Sequence, residues 1–151
     1  MAVFPPWVIG LGSDHGDDQA GWKVIEQLRR SRPNRVQSHA SHDPLAIADL
    51  PEGCPLLIVV DACCGAGEPG SIHRFEWPDS RLDAAFGESS HGLGLASALR
   101  LMEALGKLPQ RVVIFAIEAE SREPGTILNK RIDEAIPAVV SLVLAEIGGK
   151  E

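Results

Sequence analysis

Short apolar runs at five places along the chain predict the strands of a sheet. Residues 7–9 lead into a glycine turn, and the continuous runs at 56–60 and 112–119 are typical of parallel strands that are buried on both faces. Residues 36–38 are predicted to form a weaker second strand. Residues 71–77 alternate between polar and apolar positions, as an edge strand does.

Helical spacing of apolar residues separates these strands. The pattern predicts helices over about 18–30 and 92–105 and a last helix that carries its apolar positions from Ile132 to Ile147. Residues 44–50 form a short helix with Asp43 as its cap, and Pro137 should kink or split the last helix. The polar stretch 78–90 shows no regular period and is predicted to be irregular.

The order of these elements predicts an α/β fold with three layers, α/β/α. Helices alternate with strands, so we expect an open, twisted, mostly parallel sheet of about five strands with helices on both faces. A length of 151 residues suits a single domain over residues 1–151, and no repeat, low-complexity tract or linker divides it.

Charge and composition exclude several classes of partner. The chain carries 14 basic and 21 acidic residues, and no Lys/Arg cluster supplies the footprint of a nucleic-acid binder. Its apolar runs are too short to cross a bilayer, so no membrane partner is expected. Cys54, Cys63 and Cys64 are odd in number and form no C-x-x-C pair, which favours a reducing, cytoplasmic location.

Acidic residues gather where the predicted strands end. In an open α/β sheet, ligands bind outside the carboxyl ends of the strands, so residues from distant parts of the chain meet there. The candidates are Asp14, Asp17 and Asp18 after the first strand, Asp61 after the central strand, Glu118 and Glu120 after the last, and His91 before a helix. Two carboxylates and an imidazole that converge on one point suit a divalent transition metal such as Ni²⁺ or Zn²⁺.

The glycines of the first loop suggest a different ligand, a nucleotide, but only weakly. Gly10, Gly12 and Gly16 resemble a phosphate loop whose third glycine is one position late, and no Lys-Ser/Thr follows. The three carboxylates of this loop would repel a phosphate, so the loop favours a cation. The sequence also lacks the H-E-x-x-H helix of zinc proteases and the G-x-S-x-G turn of serine hydrolases.

Four motifs, in this order, resemble those of hydrogenase maturation endopeptidases. They cover nearly the whole chain: G-L-G-S, D-D and G within 10–21, L-I-V-V-D-A at 57–62, S-H-G-L-G-L at 90–95 and E-S-R-E-P at 120–124. The resemblance implies a twisted α/β sheet and an endopeptidase. Members of this family remove a short C-terminal extension from the large subunit of [NiFe] hydrogenase after nickel has been inserted.

The same resemblance implies the site and its metal. Asp18, the second acid of the pair, Asp61 and His91 match the family's metal-contacting positions and are the expected catalytic and metal-binding residues. The nickel would be supplied by the hydrogenase large-subunit precursor, although another divalent transition metal is an alternative. A non-catalytic metal-binding or assembly module on the same fold is the alternative function.

Departures from the motifs leave some assignments open. Ser13 replaces the usual Asn, and the segment before the acidic pair is one residue shorter, so Asp17 could take the place of Asp18. Either aspartate could instead cap the first helix. We expect small-residue packing for Cys63 and Cys64, with a role as soft ligands as the alternative. Glu120 is expected to hold the turn after the last strand, with a role as a base as the alternative. The other histidines are expected at the surface without a metal, with His15 the exception to watch; they are His15, His39, His42 and His73.

Overall fold

The computed structural model of the protein describes residues 4–31, 36–65, 67–86, 94–120 and 127–148. The strands in these ranges are β1 (Trp7–Leu11), β2 (Gln37–Ser41), β3 (Leu56–Cys63), β4 (Ile72–Glu76) and β5 (Arg111–Glu118). The α-helices there are α1 (Ala20–Ser31), α2 (Arg81–Phe86), α3 (Leu95–Ala104) and α4 (Lys130–Gly148). Two 3₁₀ helices lie at Gly16–Gln19 and Pro44–Asp49.

The five strands form one open sheet with the order β2-β1-β3-β5-β4. The neighbours β1, β2, β3 and β5 are parallel, and β4 runs antiparallel to β5 at one edge. This arrangement confirms the predicted mostly parallel α/β sheet. No helix within the described ranges is both long and apolar enough to cross a membrane.

Alternating side chains along the central strands build two separate cores. Ile58 and Val60 face the side that α1 and α4 cover, whereas Leu57, Val59 and Ile114 face α2 and α3. A strand points successive side chains to opposite faces, so a continuous apolar run needs helices on both sides. The predicted three-layer architecture follows from this pattern and is confirmed.

The prediction that residues 78–90 are irregular is wrong for part of the segment. Residues 81–86 form the helix α2, which buries Leu82, Ala85 and Phe86 against the sheet. The side chain of Asp79 accepts a hydrogen bond from the Arg81 N–H at 2.9 Å and so satisfies one N–H at the start of this helix. Residues 87–90 lie outside the described ranges.

The last helix is continuous, so the predicted split at Pro137 is wrong. The helix α4 runs through Pro137 from Lys130 to Gly148, and the proline lies on its exposed side. A proline inside a helix costs about 3 kcal/mol. Burial of Ile136, Val139 and Val140 on either side contributes roughly 1.5–3 kcal/mol for each side chain, which offsets that cost.

An ion-pair network attaches the end of α4 to the edge of the sheet. The Glu146 carboxylate accepts from Arg74 Nε of β4 at 3.0 Å and from Arg111 Nη2 of β5 at 2.8 Å. The side chain of Glu146 is only 14% exposed. The hydrogen bond from Arg74, and less strongly that from Arg111, lowers the pKa of Glu146, although desolvation acts in the opposite direction.

We predict that Glu146→Gln lowers the free energy of unfolding at neutral pH by about 1 kcal/mol. Because the pKa of Glu146 is depressed in the folded state, its stabilisation is present above the unfolded pKa. The difference between variant and wild type should disappear as the pH falls through the lower, folded-state pKa. Urea denaturation across this pH range measures it.

The matched control for this prediction is Glu26→Gln. Glu26 pairs with Lys23 and Arg30 on the surface of α1 and is 49% exposed, so its loss should change stability little. Equal destabilisation by the two substitutions would contradict a specific contribution from the network around Glu146.

Candidate functional site

Two glycines allow the backbone at the start of α1 to touch the ends of two strands. A Cβ on Gly12 would overlap the carbonyl oxygen of Asp18. A Cβ on Gly21 would overlap the carbonyl oxygen of Leu11 and lie 2.7 Å from that of Val60. No side chain fits at either position, so these motif glycines have a packing role. The contact brings the acidic pair of the first loop to the end of β3.

Asp18 lies in the 3₁₀ helix that precedes α1 and is half-buried. Its backbone N–H donates to the His15 carbonyl at 3.0 Å, and its own carbonyl accepts from the Ser13 N–H at 3.1 Å. Within the part of the chain that the structure describes, its carboxylate makes no hydrogen bond or ion pair. The backbone of Asp18 is therefore fixed, while its side chain remains available to a ligand.

Asp61 is held near the end of β3, directly after Val60. The strand continues for three residues beyond the predicted end, and residues 61–63 pair with 116–118 of β5. The Asp61 Oδ1 accepts the N–H of Ala62 at 2.8 Å, and the residue is half-buried. Since Gly21 contacts Val60, the first turn of α1 and the aspartate of β3 lie at the same edge of the sheet.

His91, the third predicted ligand, lies outside the described residues. The described chain resumes at Gly94, which directly precedes α3. The structure therefore brings Asp18 and Asp61 to one edge and leaves the histidine assignment as a prediction.

Asp17, the alternative first ligand, is used inside the protein. It is 4% exposed, and its carboxylate accepts the Glu120 N–H at 2.9 Å and the Asn129 N–H at 2.8 Å. These bonds connect the first loop to the exit of β5 and the entry of α4. With both oxygens bound to backbone N–H groups, Asp17 has a structural role, and Asp18 is the better candidate ligand.

Glu120 takes part in the same connection. Its Oε1 accepts from Asn129 Nδ2 at 3.0 Å, and Asn129 Oδ1 accepts the Arg131 N–H at 2.8 Å at the start of α4. This arrangement agrees with the expected turn-holding role of Glu120 rather than that of a base.

The first loop does not present its N–H groups to a phosphate. The Gly12 N–H donates to the Ser41 carbonyl at 3.0 Å, and the Ser13 N–H donates to the Asp18 carbonyl at 3.1 Å. A phosphate loop needs such groups to point at its ligand. Their internal use argues against the nucleotide-binding alternative.

A pocket of about 550 Å³ opens beside Asp18. Its floor and walls combine acidic, imidazole and apolar side chains. The lining residues are Gly12, Ser13, Asp14, His15, Asp18, Trp22, His42, Asp43, Pro44 and Leu45. As predicted, Asp43 caps the 3₁₀ helix of residues 44–49, because its Oδ1 accepts the Leu45 N–H at 2.9 Å. A cleft of this composition can hold an extended segment with both apolar and polar groups.

Two histidines are not the surface residues that the sequence predicted. His39 is half-buried and stacks on Trp7 with a distance of 4.3 Å between ring centroids. His73 has a side chain only 25% exposed and lies 3.3 Å from Glu118 Oε1. Cys63 contacts the same carboxylate, so this group of three side chains is a feature that sequence reasoning missed.

The fold and this edge define the class of protein. It is a small open-sheet α/β protein with carboxylates at the carboxyl ends of its parallel strands, where this class binds ligands. The sequence model of a family described as hydrogenase maturation protease, HycI, matches residues 43–146. The chain therefore belongs to the hydrogenase maturation protease family. The matched range includes Asp61 and His91 but not Asp18.

Solved structures of the same kind share the fold. The hydrogenase maturating endopeptidase HybD from E. coli is 24% identical, with a TM-score of 0.78 over 95% of this chain and 91% of that chain. HybD from Thermococcus kodakarensis, named a [NiFe] hydrogenase maturation protease, is 20% identical, with a TM-score of 0.78 over 95% of this chain and 99% of that chain. A hydrogenase 2 maturation peptidase from a Thaumarchaeota archaeon is 25% identical, with a TM-score of 0.70 over 95% of this chain and 98% of that chain.

A search of the curated proteins found no match to this chain.

We predict that Asp17→Ala lowers the free energy of unfolding by about 2–4 kcal/mol, because two N–H groups lose a charged acceptor. Chemical denaturation measures the loss. The control is Asp14→Ala, since the Asp14 side chain is 81% exposed and its substitution should change stability by less than about 0.5 kcal/mol. Similar values for both variants would contradict the structural role of Asp17.

Proposed function

We propose that this protein is an endopeptidase that removes the C-terminal extension of a [NiFe] hydrogenase large-subunit precursor after nickel insertion. Membership of the maturation protease family supports the reaction class. The observation that carries the proposal is that the first turn of α1, three residues after Asp18, contacts the strand that carries Asp61 at the carboxyl edge of the sheet. This is the edge at which such folds bind ligands.

Asp18, Asp61 and His91 would recognise the nickel that the precursor already carries. Two carboxylates and an imidazole suit nickel, and they would accept another divalent transition metal as well. In this proposal the metal is part of the substrate. A precursor without nickel brings no cation to offset the repulsion between the carboxylates, so it would bind poorly.

The pocket beside Asp18 would hold the extension of the precursor while its metal contacts the aspartates. Trp22 and Leu45 supply apolar contact area, and Asp14, Asp43 and the two lining histidines supply polar groups. The turn between β5 and α4 begins beside this edge, because Asp17 binds both Glu120 and Asn129. Residues around that turn and in the segment 78–90 would flank the peptide.

We also propose that the protein acts in the cytoplasm and consists of a single domain. All three cysteines are free thiols, Cys54 and Cys63 buried and Cys64 exposed, which agrees with a reducing compartment.

The proposal predicts that Asp61→Asn and His91→Ala abolish processing without unfolding the protein. Asparagine keeps the shape of the aspartate but removes its charge, so we expect at least about a 100-fold loss of rate. The gene is deleted in the native host, each variant is restored, and the mass of each hydrogenase large subunit is measured with and without nickel in the medium. Asp49→Asn, at an exposed position that does not line the pocket, is the control that should restore trimming.

Three outcomes decide this experiment. Trimming restored by wild type but not by folded Asp61→Asn supports the peptidase. Normal trimming by a folded His91→Ala variant would contradict the proposed metal recognition. A subunit that binds the purified protein and keeps its full mass, despite nickel, would instead indicate a non-catalytic assembly module.

The pocket predicts a separate effect on peptide binding. Leu45→Ala should lower kcat/KM for the nickel-loaded precursor by about 10-fold, mainly through KM, because an apolar contact is lost. Purified enzyme and precursor provide the measurement. Leu101→Ala is the control, since Leu101 on α3 is exposed to a similar degree, 42% against 38%, and does not line the pocket. Equal kinetics for the two variants would place the peptide elsewhere.

A further inference from the structure

Three side chains with different ligand chemistry meet where β3 and β5 end and β4 begins. Glu118 Oε1 lies 3.5 Å from Cys63 Sγ and 3.3 Å from His73 Nε2. One ligand atom from each residue lies within 4.8 Å of the other two. Cys63 and Glu118 are direct neighbours in the register of β3 and β5, and His73 enters from the antiparallel strand β4.

The burial of this trio makes a bound cation favourable. Cys63 is 0% and Glu118 2% exposed, whereas the His73 side chain is 25% exposed. A cation bound between a carboxylate and a thiolate would interact with both in surroundings that screen charge only weakly. The imidazole is the component that is open to solvent, so an ion would enter on its side.

Two of the three distances between the ligand atoms match a tetrahedral metal site. For usual metal–ligand distances, the edges of a tetrahedron are about 3.4 Å between nitrogen and oxygen and about 3.6 Å between sulfur and oxygen. The observed distances are 3.3 Å and 3.5 Å. The third pair, from Cys63 and His73, lies within 4.8 Å, so closure of the site around an ion requires at most about 1 Å of movement between these two side chains.

We propose that Cys63, His73 and Glu118 form a second metal site, which binds Zn²⁺ through a thiolate, an imidazole and a carboxylate. The soft thiolate selects against Mg²⁺ and Ca²⁺, which prefer oxygen ligands alone. On coordination the thiol S–H bond breaks, the sulfur forms its bond to the metal, and the proton passes to the buffer. With three protein ligands, the fourth tetrahedral position is left for solvent.

The loop before β4 lies close to the imidazole of His73. A Cβ added to Gly67 would lie 3.3 Å from Cε1 and 3.5 Å from Nε2 of His73. Glycine thus lets the backbone of this loop approach the imidazole closely. Cys63 also follows Asp61 by two residues, so by strand geometry the second site lies within roughly 7 Å of Asp61. The proposed ion would organise the edge beside the candidate nickel-contacting residue, and its presence does not depend on peptidase activity.

Cobalt spectroscopy tests this site. The full-length protein is treated with a chelator, kept reduced without added thiols, and titrated with Co²⁺. We expect thiolate-to-cobalt charge transfer in the near ultraviolet and tetrahedral visible bands that saturate at one equivalent, and displacement of both by Zn²⁺. Calorimetric titration in two buffers should show release of about one proton for each ion bound.

Neighbouring residues provide matched variants. Cys63→Ala should abolish the charge-transfer band, whereas Cys64→Ser, at the exposed cysteine next in the chain, should keep it. His73→Gln should weaken Co²⁺ binding at least about 10-fold. This variant tests the site independently of Cys63→Ala, which will not fold if the buried cysteine is needed for packing. Asp61→Asn should keep the band, which separates this site from the proposed nickel-contacting residues.

Several results would overturn the proposal. If wild-type protein shows no charge-transfer band in excess Co²⁺, the trio is a hydrogen-bonded group only. A band that survives in folded Cys63→Ala, or that disappears in Cys64→Ser, would assign the thiolate to another cysteine. Unchanged affinity in His73→Gln would exclude the imidazole. Because every readout is binding, none of these results bears on whether the precursor is cleaved.

Discussion

The close contact between the start of α1 and the ends of β1 and β3 determines where this protein places its acidic residues. Gly12 and Gly21 have no side chain to separate the two backbones, and any Cβ would overlap a carbonyl oxygen. The 3₁₀ helix before α1 is consequently held at the edge of the sheet. Asp17 and Asp18, neighbours in that helix, then point to different surroundings, one inside the protein and one beside the pocket.

Carboxylates at this edge differ in function because their surroundings differ. Asp17 is buried and binds two backbone N–H groups, so its charge holds the connection between β5 and α4 in place. The Asp18 carboxylate has no such partner within the described ranges and faces the pocket. Glu118 is as deeply buried as Asp17 but lies against a thiol and an imidazole. Residue type alone does not distinguish these functions, whereas hydrogen-bond partners and burial do.

The two faces of the sheet also differ in the side chains that they carry. Alternate residues of β3 pack under α1 and α4 in an apolar core. The opposite face carries Val59 and Cys63 under α2 and α3, and Asp61 lies between them in the strand. The proposed contact of Asp61 with nickel and the proposed second ion both lie at the carboxyl end of this second face. A second ion beside Asp61 would add rigidity where a substrate metal must be recognised at a defined distance.

The sequence by itself determined the order of strands and helices, the α/β class and the presence of acids after the strands. These follow from local hydrophobic periods and from the rule that parallel strands share a carboxyl edge. The helix α2 was not predicted, because its six residues contain too few apolar positions to show a helical period. Only the tertiary structure showed that Asp17 is used inside the protein, since Asp17 bonds to residues 103 and 112 positions away. The trio of Cys63, His73 and Glu118 likewise joins residues 45 and 55 positions apart, and such contacts depend on how the strands pack rather than on any pattern along the chain.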